Sequence, residues 1–335
     1  MIKRLPKVIA EIANSHQGDY NRALETAIKF YNAGADIVKF QVYTANDLVS
    51  INHPRWEHFY KQAFSSSQWN YIFDELEKLN IPYAIDVFGN ESFEFICDRQ
   101  PVMVKIHLSD IDNIPLHKKI AGLNVPIAIG TGGAHIALVK KIVSFFITLN
   151  VNKIILLHGF QAYPTTSEDT NLDRLSLFSE LFNHSNVGLG ISDHIEGDNI
   201  LSSIAPIMAL VYGIDYIEKH VTLNRSEKKT DYYSSMEEDT FKSFLILLNA
   251  SYKLIGSPDL FSEDEKVYFA QVKKCWMTSV SMVAGQIIDE KSIKHVRVPS
   301  EEINAASFEE IIGQRVKFDI SAETIIKRNI LSINQ

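Results

Sequence analysis

One alternation, repeated eight times, most constrains the fold of this chain. Short apolar, β-branched runs occupy residues 8–13 (VIAEIA), 36–43 (DIVKFQVY), 81–88 (IPYAIDVF) and 103–109 (MVKIHLS). Four more follow at 126–132 (PIAIGTG), 153–159 (KIILLHG), 186–194 (NVGLGISDH) and 215–223 (DYIEKHVTL). Between them lie stretches such as YNRALETAIKFYNAGA, SQWNYIFDELEKLN and AHIALVKKIVSFFITLN. Their apolar residues recur at steps of three and four, the period of a helix buried on one face. Strand and helix alternating eight times within about 250 residues predict an α/β fold of the TIM (β/α)8 barrel type. A doubly wound open sheet is the rival, but no G-x-G-x-x-G follows the first strand, which weighs against dinucleotide use.

The pattern changes after residue 255. The barrel is expected over 1–255, and GSPDLFSEDEK, polar and turn-rich, opens a linker expected over 256–279. Residues 280–335 contain VAGQIIDEKSIKHVRV and ISAETIIKRNILSI, two similar sequences of small-residue turn, apolar pair, polar turn and apolar stretch. They predict a compact, mostly β module that buries little by itself and needs a surface to dock on.

Composition narrows the function classes. The net charge of −8 argues against non-specific binding to nucleic acid or to an anionic membrane. A small phosphorylated ligand, which needs only a few local cations, stays compatible. Two cysteines, Cys97 and Cys275, are too few for a disulfide framework and fit the reducing cytoplasm. The apolar stretch near the N-terminus is short and interrupted by Glu11, so no signal peptide is expected. No apolar segment approaches about 18 residues, so no membrane span is expected either.

Charged and hydrogen-bonding residues gather late in the strand runs, where a barrel of this type carries its site. The first run holds Glu11, followed by Asn14 and His16. The second holds Lys39 and Gln41, two apart and so on one face. The third ends near Asp86. The fourth carries Lys105, His107 and Ser109, with Asp110 next. The sixth ends at His158, with Gln161 and Tyr163 after it. The seventh ends Ser192-Asp193-His194. The eighth has Glu218 and His220 on one face, with Asp231 in the following loop. Charges inside apolar strands are costly to bury unless paired or coordinated, so this many point to one polar pocket. Each residue also has a plainer reading. Lys39 can be a structural partner of Glu11 or Glu218, and His194 and His220 can each be ordinary core histidines. As a pair ending adjacent strands, however, the two imidazoles make a plausible metal site. His107, His135 and His184 read as structural or surface residues.

Six ordered motifs then carry a resemblance: A-E-I-x-x-x-H-x-G-D, A-G-A-D-x-V-K-F-Q, V-K-I-x-x-S-D, H-G-x-Q-A-Y-P, G-I-S-D-H and I-E-K-H-x-T. Together they resemble the sialic acid (nonulosonate) synthase family over nearly the whole chain. The tail resembles that family's antifreeze-like (SAF) domain. The resemblance implies condensation of phosphoenolpyruvate with an N-acyl amino aldose. In that reaction the enol carbon attacks the aldehyde, water adds to the resulting cation and phosphate leaves. It implies a divalent metal, Mn2+ or Mg2+, held by His194 and His220. It gives Lys39 and Lys105 to the donor's carboxylate and phosphate, Glu11 to the neighbourhood of the metal and the attacking water, and Asp231 to the sugar. Gln41, Ser109, Asp110, Gln161, Tyr163, Ser192 and Arg297 complete the expected substrate contacts. It also implies a homodimer in which each small tail domain covers the other subunit's barrel mouth.

The chain departs from the family pattern at marked places. Three hydroxyls expected near the phosphate are replaced by Asp86, Leu108 and Gly130, and an aspartate beside a phosphate is repulsive unless protonated or turned away. The family's R-P-G reads Val298-Pro299-Ser300 here, with Arg297 one residue earlier and, by alternation, on the other side. These departures motivate two alternatives. One is a pyruvate aldolase on the same barrel, using either a Schiff base or a metal enolate; the other is a sugar-binding homologue without catalysis.

Overall fold

The computed structural model describes residues 4–256, 261–298 and 305–332. Two compact units divide the chain at Met1–Ile255 and Gly256–Gln335.

In the first unit, eight parallel strands close into a barrel in chain order: β1 (Lys7–Glu11), β2 (Ile37–Val42), β3 (Tyr83–Val87), β4 (Met103–Ile106), β5 (Ile127–Gly130), β6 (Ile154–His158), β7 (Val187–Asp193) and β8 (Tyr216–His220). Eight helices follow them in turn: α1 (Tyr20–Asn32), α2 (Ser66–Lys78), α3 (Asn90–Phe93), α4 (Ile114–Ala121), α5 (Ile136–Thr148), α6 (Arg174–Leu181), α7 (Leu201–Ala209) and α8 (Glu238–Tyr252). This is the expected TIM barrel. The β3–β4 crossover carries only the single turn α3, whereas the β2–α2 loop is long and holds two extra short helices, Ala45–Leu48 and Trp56–Gln62.

Local chemistry explains the helix boundaries. Asp19 accepts hydrogen bonds from the Asn21 and Arg22 N–H groups and so caps α1. Ser65 and Gln68 form a reciprocal capping box on α2, a device worth about 1 kcal/mol. Each helix then turns one apolar stripe inward: Ala23, Leu24, Ala27 and Phe30 from α1, and Trp69, Ile72, Phe73 and Leu76 from α2. Burying each of the larger side chains stabilises the fold by about 1.5–3 kcal/mol.

The register of the strands builds the barrel interior in layers. Ile9, Ile37, Ala84, Met103, Ala128, Ile155 and Leu157 form an enclosed apolar cluster, with Tyr216 packed against it. Gly190 belongs to this level because a Cβ there would lie 2.6 Å from Leu157 Cδ2 and 2.8 Å from the Tyr216 carbonyl. One pleat further toward the strand C-termini, side chains again point inward. There Glu11 lies beside Lys39 and His220, Asp86 beside Lys105, and Ser192 beside Glu218.

The strands stop short of the runs seen in the sequence. β4 ends at Ile106, and Leu108–Asp110 form a 3-10 turn. Strict alternation puts Ser109 on the face of Lys105, but Ser109 lies three residues past the last strand residue and inside that turn.

Among its described residues the second unit has two small antiparallel ladders, Lys274–Thr278 with Ile293–Arg297 and Arg315–Val316 with Leu331–Ser332. Its core is Met282, Ile288, Ile293, Ala306, Ile311, Val316, Ile320, Ile326, Ile330 and Leu331. The stretch 256–279, expected as a linker, is not featureless: it contains the helix Glu263–Val272 and the strand Lys274–Thr278. That strand begins the small unit's own sheet, so the module starts before residue 280.

Candidate active site

The upper layer of the barrel is a buried ionic network. Lys39 pairs with Glu11, and its Nζ also lies 3.5 Å from Glu218 Oε2 and 3.6 Å from Asp86 Oδ2. Lys105 Nζ donates to Glu218 Oε1 at 2.7 Å and lies 3.6 Å from Asp86 Oδ2. Ser192 Oγ donates to the same Glu218 oxygen at 2.8 Å. Glu11 is anchored from outside the network by the Ala13 N–H, which donates to Oε1 at 2.8 Å. All six side chains are buried. The plain expectation that Lys39 is a partner of Glu11 and Glu218 therefore describes the resting contacts.

Environment separates the two lysines. Burial lowers Lys39 to about 8, Glu218 pulling it upward and Lys105 pressing it further down. Burial also opposes the charge on Lys105, but Glu218 and then Asp86 outweigh it and raise that lysine above its ordinary value. Burial pushes Glu218 upward, yet the ammonium groups of Lys105 and Lys39 hold it well below the usual carboxylate range. Two of the network's members, Glu218 and Asp86, carry no substrate or metal role in the sequence reading, although both sit among the strand-end charges it places in the pocket. Glu218 is its hub, touching both lysines and Ser192. Asp86 is not turned away but faces both cations.

His194 follows β7 and His220 ends β8, and their ring centroids are 5.0 Å apart. Burial, then Lys105, pushes His194 down to about 3. Burial, then His194 itself, pushes His220 well down. Both imidazoles are therefore neutral, the state in which they bind a metal. Neither Nδ1 has a hydrogen-bond partner among the described residues. No third histidine, cysteine, aspartate or glutamate gathers with them into a ligand cluster among the described residues. Two neutral imidazoles fit a divalent ion that takes its remaining positions from water or substrate oxygens.

A second polar string borders the pocket. The Asn14 N–H donates to Asp231 Oδ2 at 3.1 Å, and the Tyr43 hydroxyl donates to Asn14 Oδ1. Asp231 has φ +63°, a conformation aspartate tolerates better than most residues. The Ser235 hydroxyl fixes its carbonyl at 2.7 Å, and burial raises its carboxyl above the usual range. Tyr163, partly exposed, packs edge-on against both imidazoles, its ring centroid 5.0 Å from His194 and 5.7 Å from His220.

The other expected residues lie nearer the rim or elsewhere. Gln41 and Gln161 are half-buried, Gln41 beside Asp86 in the strand register. Ser109 is exposed and engages His107 and Asp110; Asp110 in turn accepts from Asn113 at 2.8 Å. Asp193, next to the site in sequence, points the opposite way, pairing with Lys219, whose ammonium also reaches the Ser202 carbonyl at 2.9 Å. His158 Nε2–H donates to the Thr170 carbonyl at 2.9 Å. Arg297 ends a strand of the second unit and is exposed. Pro299 and Ser300 lie outside the described residues.

A parallel β/α barrel whose strand ends hold buried lysines, carboxylates and paired imidazoles belongs to the class of barrel enzymes that work on small polar substrates at the C-terminal mouth. More particularly, the NeuB family model matches residues 25–259, and the chain belongs to that family. It is 27% identical over 337 residues to the pseudaminic acid synthase of Campylobacter jejuni subsp. jejuni serotype O:23/36, covering 96% of this chain and 95% of that one. It is 30% identical over 264 residues to the N-acetylneuraminate-9-phosphate synthase of Drosophila melanogaster, covering 75% of this chain and 69% of that one. Its fold resembles the N-acetylneuraminic acid (sialic acid) synthetase of Leptospira borgpetersenii serovar Hardjo-bovis, with a TM-score of 0.72 at 24% identity, covering 80% of this chain and 92% of that chain.

Proposed function

We propose that the protein is a metal-dependent synthase that joins phosphoenolpyruvate to an N-acyl amino aldose, giving a nonulosonic acid and inorganic phosphate. The observation that carries this reading is the buried pair Lys39 and Lys105 beside the imidazole pair. Two ammonium groups suit a small donor bearing a carboxylate and a phosphate, and two neutral imidazoles suit a divalent ion next to it. The family relationship supports the same chemistry.

The roles divide as follows. Lys39 and Lys105 bind the donor's two anionic groups; Lys39, though lowered to about 8, is still mostly an ammonium at pH 7. Glu218, itself held by Ser192, fixes the Lys105 ammonium, and Glu11 orients Lys39 and faces the attacking water. Asp231, aimed by the Asn14 N–H, receives a sugar hydroxyl, and Gln41, Ser109, Asp110, Gln161, Tyr163 and Arg297 supply further substrate contacts. His194 and His220 would hold the ion, Mn2+ or Mg2+, which would supply Lewis acidity toward the acceptor aldehyde. Carbon–carbon bond formation joins donor C3 to the aldehyde carbon; water then adds at donor C2, and phosphate departs. The chain works in the cytoplasm as a domain-swapped homodimer whose small units are of the antifreeze-like type. Light scattering that finds a monomer at micromolar concentration contradicts the dimer.

The test is phosphate release by purified, metal-loaded protein. Release is expected only when phosphoenolpyruvate, metal and an aldose are all present, and silence across a broad panel of N-acyl amino aldoses contradicts the proposal. One observation favours a second reading, a pyruvate aldolase. A buried lysine lowered to about 8 is a better imine-forming nucleophile than an ordinary one. Borohydride trapping of pyruvate on Lys39 supports that reading; turnover of phosphoenolpyruvate without trapping excludes it.

A further inference from the structure

We propose that Asp86 is a specificity-determining residue: a carboxylate built into the donor pocket that competes with the donor's phosphate for Lys39 and Lys105. The proposal rests on the donor reading above and adds to it.

Three carboxylates, Glu11, Asp86 and Glu218, face two ammonium groups in one buried layer. Two of the three are fixed by other contacts. Glu11 takes the Ala13 N–H, and Glu218 takes Ser192 and Lys105. These two already balance the two lysines. Asp86 is the surplus charge. Its strand neighbours are Gln41 on one side and Lys105 on the other, and its Oδ2 lies 3.6 Å from each lysine Nζ. That distance is attractive but longer than a hydrogen bond. Neither Asp86 oxygen has a hydrogen-bond partner among the described residues. A fully buried carboxylate with no hydrogen bond is a costly thing to keep for stability alone.

Among the described residues, no neutral side chain donates a hydrogen bond to Asp86. Gly130, the inward residue of β5 near Lys105, has room for a side chain: a Cβ there would lie 3.7 Å from Lys105 Cε and no nearer than 3.5 Å to any other neighbour. The chain leaves that space without a hydroxyl and puts an anion on β3 instead. A phosphate dianion entering between the lysines therefore meets Asp86 at close range. A carboxylate alone, with one negative charge, meets less repulsion. Asp86 thus weakens the hold on phosphate twice, as part of the donor and as free product, and eases release of the product.

Asp86→Asn keeps the shape and removes the charge. Binding to the metal-loaded protein is measured by calorimetry with phosphoenolpyruvate, inorganic phosphate and pyruvate, alongside steady-state KM and product inhibition. Removing one like charge at this range is expected to tighten phosphoenolpyruvate and inorganic phosphate by about fivefold or more, and pyruvate by about twofold or less. Asp86→Ser, which restores a hydroxyl, is expected to tighten both phosphates at least as much. Thermal melting shows that each variant is folded. Phosphate affinity that is unchanged or weaker in both folded variants, while the wild type turns over phosphoenolpyruvate, overturns the role of Asp86 and leaves the synthase reading intact. No binding of phosphoenolpyruvate by wild type or variant overturns the donor reading itself, and this proposal with it.

Discussion

Ile9, Ile37, Ala84 and Met103 line the lower barrel interior; two residues further along the same four strands stand Glu11, Lys39, Asp86 and Lys105. Both layers are buried and both are set by the same period-2 pleat. Their energetics are opposite. The lower layer gains from every methylene removed from water. The upper layer desolvates five charges, and pairing returns that cost only in part. A barrel can afford such a layer because the apolar level beneath it and the helices around it hold the strands in place. Stability and chemistry are thus separated by one pleat rather than by one domain.

That separation can be broken from above. Lys105→Met leaves Glu218 and Asp86 facing a single remaining ammonium. It is expected to lower turnover by about a thousandfold and to destabilise the barrel by about 3–5 kcal/mol. Adding Glu218→Gln is expected to return much of the stability, read from urea midpoints, and none of the turnover. Recovery of both contradicts the assignment of Lys105 to the donor.

From below, Ile155→Ala opens a cavity in the apolar layer. It is expected to cost about 2–5 kcal/mol while turnover per folded molecule changes by less than about twofold. A large fall in kcat at a temperature where the variant is fully folded contradicts the independence of the layers.

Acid tests the buried histidines. His16 is pushed down to about 3, chiefly by burial, and its Nδ1 accepts the Gly18 N–H at 3.0 Å. Its folded value lies below the unfolded 6.5, so the stability it contributes is complete above pH 6.5. That stability is lost as the pH falls toward 3, because only the unfolded chain then takes up the proton. Between pH 7.5 and 5 one such group costs about 2 kcal/mol. His16→Gln is expected to remove that increment from the pH dependence of the urea midpoint in chelator-treated protein; an unaltered slope contradicts a neutral His16.

The smallest effect is expected at Gly130. Gly130→Ser finds only ordinary van der Waals neighbours and is expected to shift stability by less than about 1 kcal/mol. A loss above about 2 kcal/mol in thermal or urea unfolding contradicts the open space beside Lys105.

Much of this was legible in the sequence because an acid or lysine inside an apolar strand is conspicuous. Glu11, Lys39, Lys105, His194 and His220 all announce themselves that way, and their faces follow from alternation. Other features depend on contacts between distant strands. Glu218 shares its face with His220, but its place as hub arises only when closure brings β8 near β4 and β7. The direction of Asp86 also depends on register. Alternation did carry one unused signal: Asp193, between Ser192 and His194, had to face outward, where Lys219 meets it. Alternation says nothing of where Ser109 faces, because the strand ends at Ile106 and the following turn's own hydrogen bonds replace the ladder.

A crystal grown with Mn2+ and phosphoenolpyruvate, measured at the manganese absorption edge, tests the pairing of imidazoles and lysines around one ion and one donor. One anomalous peak is expected within ligand distance of both His194 and His220, with the donor's carboxylate and phosphate held by Lys39 and Lys105. A manganese peak away from both imidazoles, or a donor bound with neither lysine in contact, contradicts it.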